Sequence, residues 1–460
     1  MNFKKGISFT IANTCRYLCG VTCFLCMSLN ICAQTDNADN SNEYLTLQQC
    51  IDYAMVHQPA LNQAQINISI ARTTNAINLS GWLPQLSASG NLTHYFQLPT
   101  SFEPNTITPG GPPIPVQSGI VNVATPQINA TQTIFNPSLI YAAKSAHLYV
   151  EQAKQVTDST KIFLVSSVSK AFYTLLLTLE QIEVLKSDTA ELQRSVTDAY
   201  NQFVGGIVDE TDYEEATITL NNTRVQLKQA LENVVPQYAT LKQIMGYPPT
   251  RQFNVSYDTV KMINDINIDT TEQLQYEKRI EYKQLVTEQK LQHQLINYYR
   301  LAFLPTISGF YNYTREFENN NFADLWKTAY PYSSIGLSVN LPLFTGFSRL
   351  ENIHKAKLQQ DQLDWAGVNL RSQINTDYTT ALANYKSNLF SFHTTSENVK
   401  MAKRVYYVVE LQYKQGIVAY LNVITAQSNL ITSETSYINA LFQTLSSKID
   451  LEKAMGNIKY

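Results

Sequence analysis

Two stretches of this chain repeat one another at a fixed distance. Gly206-Ile207-Val208, followed by Met245-Gly246, recurs as Gly416-Ile417-Val418 followed by Met455-Gly456, with the same offset of 210 for both pairs. Upstream, Trp82-Leu83-Pro84-Gln85-Leu86-Ser87 answers to Phe303-Leu304-Pro305-Thr306-Ile307-Ser308 at an offset of 221. A duplication of this size constrains the architecture before any motif is considered, because both halves must build the same unit. The offsets differ by about 11 because the first copy carries a longer insert, the Pro- and Gly-rich stretch Pro99 to Gly119. The chain therefore divides into a leader at 1–33, a first repeat at 34–255 and a second at 256–460.

The leader has the form of a secretory signal. Lys4, Lys5 and Arg16 supply a positive start, and Tyr17 to Ile31 is an apolar run too short to span a bilayer comfortably. Ile31-Cys32-Ala33 suits cleavage after Ala33. Lipidation at Cys32 is the competing outcome, disfavoured because Ile31 stands where a small residue is wanted. Cleavage removes Cys15, Cys19, Cys23, Cys26 and Cys32 and leaves Cys50 alone, so neither a disulfide framework nor a thiolate metal cage is expected. The mature charge falls to about −6, and no basic patch points to nucleic acid. Charged residues make up only 15 % of the chain; Asn, Gln, Ser, Thr and Tyr take their place, which suits large wet surfaces of low charge. Beyond the leader, no run of about 18 apolar residues is evident and no transmembrane helix is expected.

Prolines are absent between Pro137 and Pro236 and after Pro342, and there a three-four apolar spacing appears. Val165, Val168, Phe172, Leu175, Leu179 and Ile182 follow it, as do Tyr378, Leu382, Tyr385, Leu389 and Phe392. This is the seam of helices packed as coiled coils. It predicts helices over Ser138–Val204 and Phe347–Gln415, each about 100 Å long. Gly205-Gly206 and Gly416 interrupt the pattern, which then resumes at Tyr213, Ala216, Leu220 and at Val423, Ala426, Leu430. Each repeat thus contains a helical hairpin with its tip at glycine.

A second period alternates with the first. Ile335, Leu337, Val339, Leu341 and Leu343 are separated by Gly336, Ser338, Asn340 and Pro342, a strand with one apolar and one polar face. Ile128, Ala130 and Ile134 form a weaker version, and strands are expected over Leu86–Phe96 and Ser308–Phe317. These lengths are those of membrane β-strands. Two strands per repeat make four per chain. Four cannot close a barrel, and open edges are not tolerated in lipid, so several chains must pool them.

Leu83-Pro84 and Leu304-Pro305, then Leu341-Pro342-Leu343-Phe344-Thr345-Gly346 with its echo Ile134-Phe135-Asn136-Pro137, then the Gly-Ile-Val tips and Met-Gly pairs, occur in this order twice. In this the chain resembles the TolC family of trimeric outer-membrane efflux and secretion channels over nearly all its mature length. The resemblance implies a mainly α fold with a membrane β portion. A twelve-stranded β-barrel shared by three chains would stand on a long coiled-coil α-helical barrel in the periplasm. It implies a passive conduit in the outer membrane of a Gram-negative cell, contacting outer-membrane lipid. Its partners would be a periplasmic membrane-fusion adaptor and, through it, an inner-membrane transporter. A structural coiled-coil or adhesion protein of the envelope is the alternative, and the strand alternation argues against it.

No catalytic constellation, cofactor motif or metal-ligand spacing is found. The six histidines are scattered, and an enzyme is not expected. The tips Gly205, Gly206, Ile207, Val208 and Gly416, Ile417, Val418 are the expected adaptor contacts. After the first tip come Asp209, Glu210, Asp212, Glu214 and Glu215. Helix-terminus capping explains one or two of these. A ring of carboxylates constricting the pore is the alternative for Asp209, Asp212 and Glu215. The second tip has Asn422 and Thr425 at the matching positions. By resemblance, Asp212 and Tyr413 form a latch between the hairpins, weakened by Val418 where a basic residue is often found. Aromatic residues near the strands, among them Trp82, Tyr95, Phe96, Phe303, Tyr311, Tyr313, Phe317, Tyr330, Tyr332, Phe344 and Phe347, are expected to form interfacial belts.

Overall fold

The computed structural model describes residues 44–104, 110–257, 259–264, 266–269 and 272–460. The leader and its cleavage site lie outside these residues. Residues 44–249 and 255–460 form one compact unit, which holds both hairpins and all the long strands; of the other unit only 250–254, a turn running into extended chain, is described.

Helix α1 (Leu47–His57) opens on a capping box, in which Thr46 accepts from the Gln49 amide and Gln49 Oε1 accepts from the Thr46 amide at 2.8 Å. Helix α2 (Pro59–Leu79) leads through a short turn to strand β1 (Gln85–His94). Strands β2 (Thr100–Glu103) and β3 (Ile114–Gln117) pair with each other, and β4 (Asn122–Phe135) follows. On its described residues the Pro- and Gly-rich Pro99–Gly119 insert thus carries a small antiparallel hairpin.

Helix α3 (Pro137–Val204) runs for 68 residues and α4 (Glu210–Met245) for 36. The second half repeats the series as α5 (Ile280–Leu301), β5 (Thr306–Asn319), β6 (Ala329–Asn340), α6 (Ser348–Lys414) and α7 (Tyr420–Met455). The hairpin arms match in length, 68 and 36 residues against 67 and 36. Asn136 starts α3 by accepting from the Ser138 amide at 2.9 Å, and Pro137 fills the first turn where no N–H is needed. The boundaries expected from proline and glycine placement hold to within one residue.

The duplication extends to single hydrogen bonds. Gln58 Nε2 donates to the Ile244 carbonyl at 2.9 Å; 221 and 210 residues later, Arg279 Nη1 donates to the Ala454 carbonyl at 3.0 Å. In each half the end of the hairpin's return arm docks on the start of that half's own helix, and a side chain takes up an orphan carbonyl. Beside these bonds, Gly246 lies against the backbone of His57 and Gly456 against that of Lys278.

One expectation needs correction. Helix α3 does contain a window long and apolar enough to cross a membrane, but half of that window is buried inside the chain. Leu164, Val165, Val168, Phe172, Leu175 and Leu176 are core residues there, so packing accounts for the apolarity.

The four long strands form one antiparallel sheet in the order β1-β4-β5-β6. The two repeats meet inside it, at the β4–β5 ladder. Strand β6 begins at Ala329, earlier than the apolar alternation suggests, and ends at Asn340. Pro342 has no N–H to continue the ladder.

Candidate functional site

The register fixes which side chains share a face. Leu86, Ala88 and Leu92 of β1 lie opposite Ala130, Ile128 and Ala124 of β4. Ala130 and Ile128 in turn lie opposite Tyr311 and Tyr313 of β5, and Tyr311 lies opposite Ile335 of β6. This face is apolar and open: Leu86, Ile335 and Leu337 are 76 %, 84 % and 69 % exposed. The other face carries Ser87, Ser89 and Asn91, then Asn129 and Gln127, then Asn312 and Thr314, then Ser334 and Ser338. Gly336 there leaves room for its cross-strand partner Phe310, whose ring tip would lie 2.6 Å from any Cβ at that position.

An exposed apolar face of this extent has no place in water, whereas a polar face opposite it suits a wet lumen. Tyr311, Tyr313 and Phe317 fall on the apolar face. Tyr330 and Tyr332 fall on the polar one with Ser334, so they do not belong to a lipid-facing belt on this sheet. At the helical end of the sheet, Phe344 packs edge-on to Phe347, and the Arg349 guanidinium lies over the Phe303 ring at 4.6 Å.

The two hairpin tips have the same backbone. Gly206 (φ 70°) donates to the Phe203 carbonyl and Ile207 to the Gln202 carbonyl, both at 2.9 Å. Gly416 (φ 73°) donates to Tyr413 at 2.8 Å and Ile417 to Gln412 at 2.9 Å. This pair of bonds closes a helix through a left-handed residue that glycine adopts without strain. Ile207 and Ile417 project beside the turns, 75 % and 65 % exposed, while Val208 and Val418 are half-buried.

Asp209 occupies the N-cap of α4, yet its side chain makes no capping hydrogen bond. Asp209, Glu210, Glu214 and Glu215 are exposed, as are Asn422 and Thr425 at the matching places of the second tip. Asp212 is half-buried at the edge of a cluster formed by Tyr213 and Ala216 with Tyr413, Tyr420 and Val423 of the second hairpin. Asp212 and Tyr413, the expected latch pair, face each other across the two hairpins without a hydrogen bond between them. Tyr413 donates its hydroxyl to Gln202 Oε1 at 2.5 Å, and Asp212 acts on that phenol only through its charge. Gln202 is four residues before Gly206, on the α3 face turned toward α6.

Gln202 belongs to a row that the apolar pattern conceals. Gln181, Asp188, Ser195 and Gln202 recur every seven residues along α3, on the side facing the second hairpin. Gln181 donates to Asn439 Oδ1 at 3.3 Å and Gln202 accepts from Tyr413. Ser195 lies beside Tyr420. Next to the row, Tyr406 donates to Glu191 Oε1 at 2.6 Å. By contrast, the seam within the first hairpin is apolar, with Ile182 and Leu185 packed on Leu227, Ala230 and Val234. Between the hairpins the polar row runs beside an apolar cluster near the tips, in which Ala199 and Ala216 of the first hairpin pack with Tyr406, Tyr420 and Val423 of the second. The seven-residue spacing of polar residues is the signal in the sequence that could have found this row.

Among the described residues no cluster of His, Cys, Asp or Glu is arranged to hold a metal ion. His94 bonds to Asn122 at 2.7 Å, and His57 stacks on Tyr53.

Comparison with known proteins agrees with this geometry. The sequence profile described as outer membrane efflux protein matches residues 50–247 and 283–457. The chain is 23 % identical to the probable efflux pump outer membrane protein TtgC of Pseudomonas putida, over 89 % of this chain and 82 % of that one. It is 20 % identical to the outer membrane protein TolC of Vibrio cholerae over 72 % of this chain and 76 % of that one. Among solved structures, the open-state outer membrane channel MtrE of Neisseria gonorrhoeae superimposes with a TM-score of 0.72 at 18 % identity, covering 89 % of this chain and 88 % of that one. With a strand sheet apolar on one face and polar on the other, long helical hairpins below it and a profile match across both repeats, the chain belongs to the outer membrane efflux protein family.

Proposed function

We propose that three copies of this chain close a twelve-stranded barrel in the outer membrane and serve as the passive exit duct of a tripartite export system. The observation that carries this reading is the four-stranded sheet. Its edge strands β1 and β6 pair with no further strand among the described residues, and one face is apolar. In lipid every backbone N–H and C=O along those edges needs a partner, and each unsatisfied group costs several kcal/mol. Only another copy's edge supplies a full row of them. Three is the number that the family resemblance gives.

The tips Gly205–Val208 and Gly416–Val418 are the docking points for a periplasmic membrane-fusion adaptor, and through it an inner-membrane transporter. Exposed Ile207 and Ile417 beside identical turns give three chains six similar surfaces, suited to helix-on-helix packing. Asp209, Asp212 and Glu215 line the narrow end and bias it toward cations. The missing side-chain cap at Asp209 favours this role over helix capping.

Cross-linking of the purified protein in detergent tests the assembly: a species of three chains is expected, and a stable monomeric barrel overturns it. The double variant Ile207→Asp, Ile417→Asp should abolish export with trimers intact; normal export removes the tips from the docking role. Neutralising Asp209, Asp212 and Glu215 to Asn or Gln should lower cation selectivity in planar bilayers, and unchanged selectivity returns them to helix-terminus chemistry.

A further inference from the structure

The polar row between the hairpins contains a carboxyl group whose chemistry the bonding pattern leaves unresolved. Asp188 is only 7 % exposed, and its Oδ2 is buried with no hydrogen-bond partner. Around it stand Glu191 on its own helix α3, Lys403 on α6 and Glu434 on α7. Both neighbouring carboxylates are already engaged: Lys403 binds Glu434 Oε1 at 2.9 Å, and Tyr406 donates to Glu191 at 2.6 Å. On α4, the cations on this stretch are committed elsewhere, Arg224 to Gln193 at 2.6 Å and Lys228 to Glu232. An ionised Asp188 would thus add a third carboxylate to a pocket served by one cation, with one oxygen facing neither water nor a donor. A buried charge left in that state is far more costly than a buried neutral carboxyl.

We propose that the seam between the two hairpins is held by a proton on Asp188 and loosens when that proton is released to water. In the closed seam the neutral carboxyl sits without net charge beside Glu434 and Glu191. When the seam parts, water reaches Asp188, the O–H bond breaks, the proton passes to solvent and the carboxylate is hydrated. Burial first, then the Glu434 and Glu191 charges, raise the Asp188 carboxyl from 3.8 to about 7, against the pull of Lys403. The closed seam therefore binds one more proton than the parted seam between about pH 4 and pH 7. Closing is favoured by acid, weakens as pH rises through this window and levels off above about pH 7. The opening constant changes by at most about tenfold per pH unit. The device lies within one chain, so it does not depend on how many chains make the barrel.

Hydrogen–deuterium exchange on the intact protein in detergent, normalised at each pH to an unstructured peptide, reads the seam directly. Peptides spanning 182–195 and 427–438 should lose protection as pH rises from 5 toward 7 and change little beyond. Asp188→Asn keeps the shape without the charge and should stay protected through pH 8. Glu434→Gln removes the repelling neighbour and frees Lys403, so its loss of protection should be smaller and shifted to lower pH. Wild-type protection independent of pH, or an Asp188→Asn protein that keeps the wild-type pH profile, overturns the proposal. So does an unshifted profile in Glu434→Gln.

Discussion

Four glycines end the helices of the two hairpins with the same backbone, and they differ in what surrounds them. Gly206, Gly246, Gly416 and Gly456 all have φ between 68° and 73°. A Cβ at Gly206 or Gly416 would meet nothing within 4 Å. At Gly246 it would lie 2.7 Å from the His57 carbonyl oxygen, and at Gly456 3.0 Å from that of Lys278. Alanine at any of the four loses about 1–2 kcal/mol to the left-handed conformation. The entropy it removes from the unfolded chain, about 0.4–1 kcal/mol in the stabilising direction, is common to all four and cancels in comparison. At Gly246 the added carbon must displace backbone, because nothing there is a flexible side-chain end, and overpacking of this kind costs a further 1–3 kcal/mol or so. Gly246→Ala should therefore be less stable than Gly206→Ala by about 1–3 kcal/mol, with Gly456→Ala between them. Urea unfolding of the purified protein, followed by helical circular dichroism, measures the difference. Equal losses at Gly206 and Gly246 would refute the claim that the hairpin's return arm is locked by backbone contact to α1.

Three further outcomes are expected. Ile335→Lys should cost about 2–4 kcal/mol in bilayer folding assays if its face meets lipid, whereas Ser334→Lys on the opposite face should be tolerated; the reverse order would exchange lumen and lipid. Cys50 is fully buried, and burial pushes its thiol up to about 12, so maleimide should label the protein only after denaturation. Labelling of the folded protein near neutral pH would contradict the packing at α1. Tyr413→Phe removes the hydroxyl that donates to Gln202 and should raise open probability in planar bilayers by several-fold, since such a bond is worth about 1 kcal/mol. Asp212→Asn should do less than Tyr413→Phe; a larger effect would restore Asp212 as the latch.

Much of this architecture is written in short-range chemistry. Helix ends are legible because proline and glycine act on their own backbone: Pro137, Gly206, Gly246, Gly416 and Gly456 each mark a boundary. The start of strand β6 is hidden because Pro331 and Ser333 stand where the apolar alternation calls for apolar side chains, and pairing with β5 keeps that segment extended regardless. The placement of Tyr330 and Tyr332 on the polar face follows from strict two-residue periodicity once the strand is known to start at Ala329. The latch partner is not legible because Asp212 and Gln202 lie on opposite arms of one hairpin, and only the docking of α6 decides which of them Tyr413 reaches. Asp188 does not stand out either, because a single carboxylate in a helix reads as surface until the opposing hairpin is in place.

The order of the sheet also bears on how the protein is made. Strands β1 and β6 stand at the two rims of the sheet, so in the proposed barrel no chain finishes its strand pairing alone. For the proposed three-chain barrel, completion would scale as the cube of the chain concentration in the dilute limit, so halving the supply would lower the yield about eightfold. Long-range pairing between separate molecules is also slow compared with local helix formation. The helical hairpins can form on each chain while its strands wait, and a waiting strand with a free rim is the natural target for a holding chaperone or for a protease.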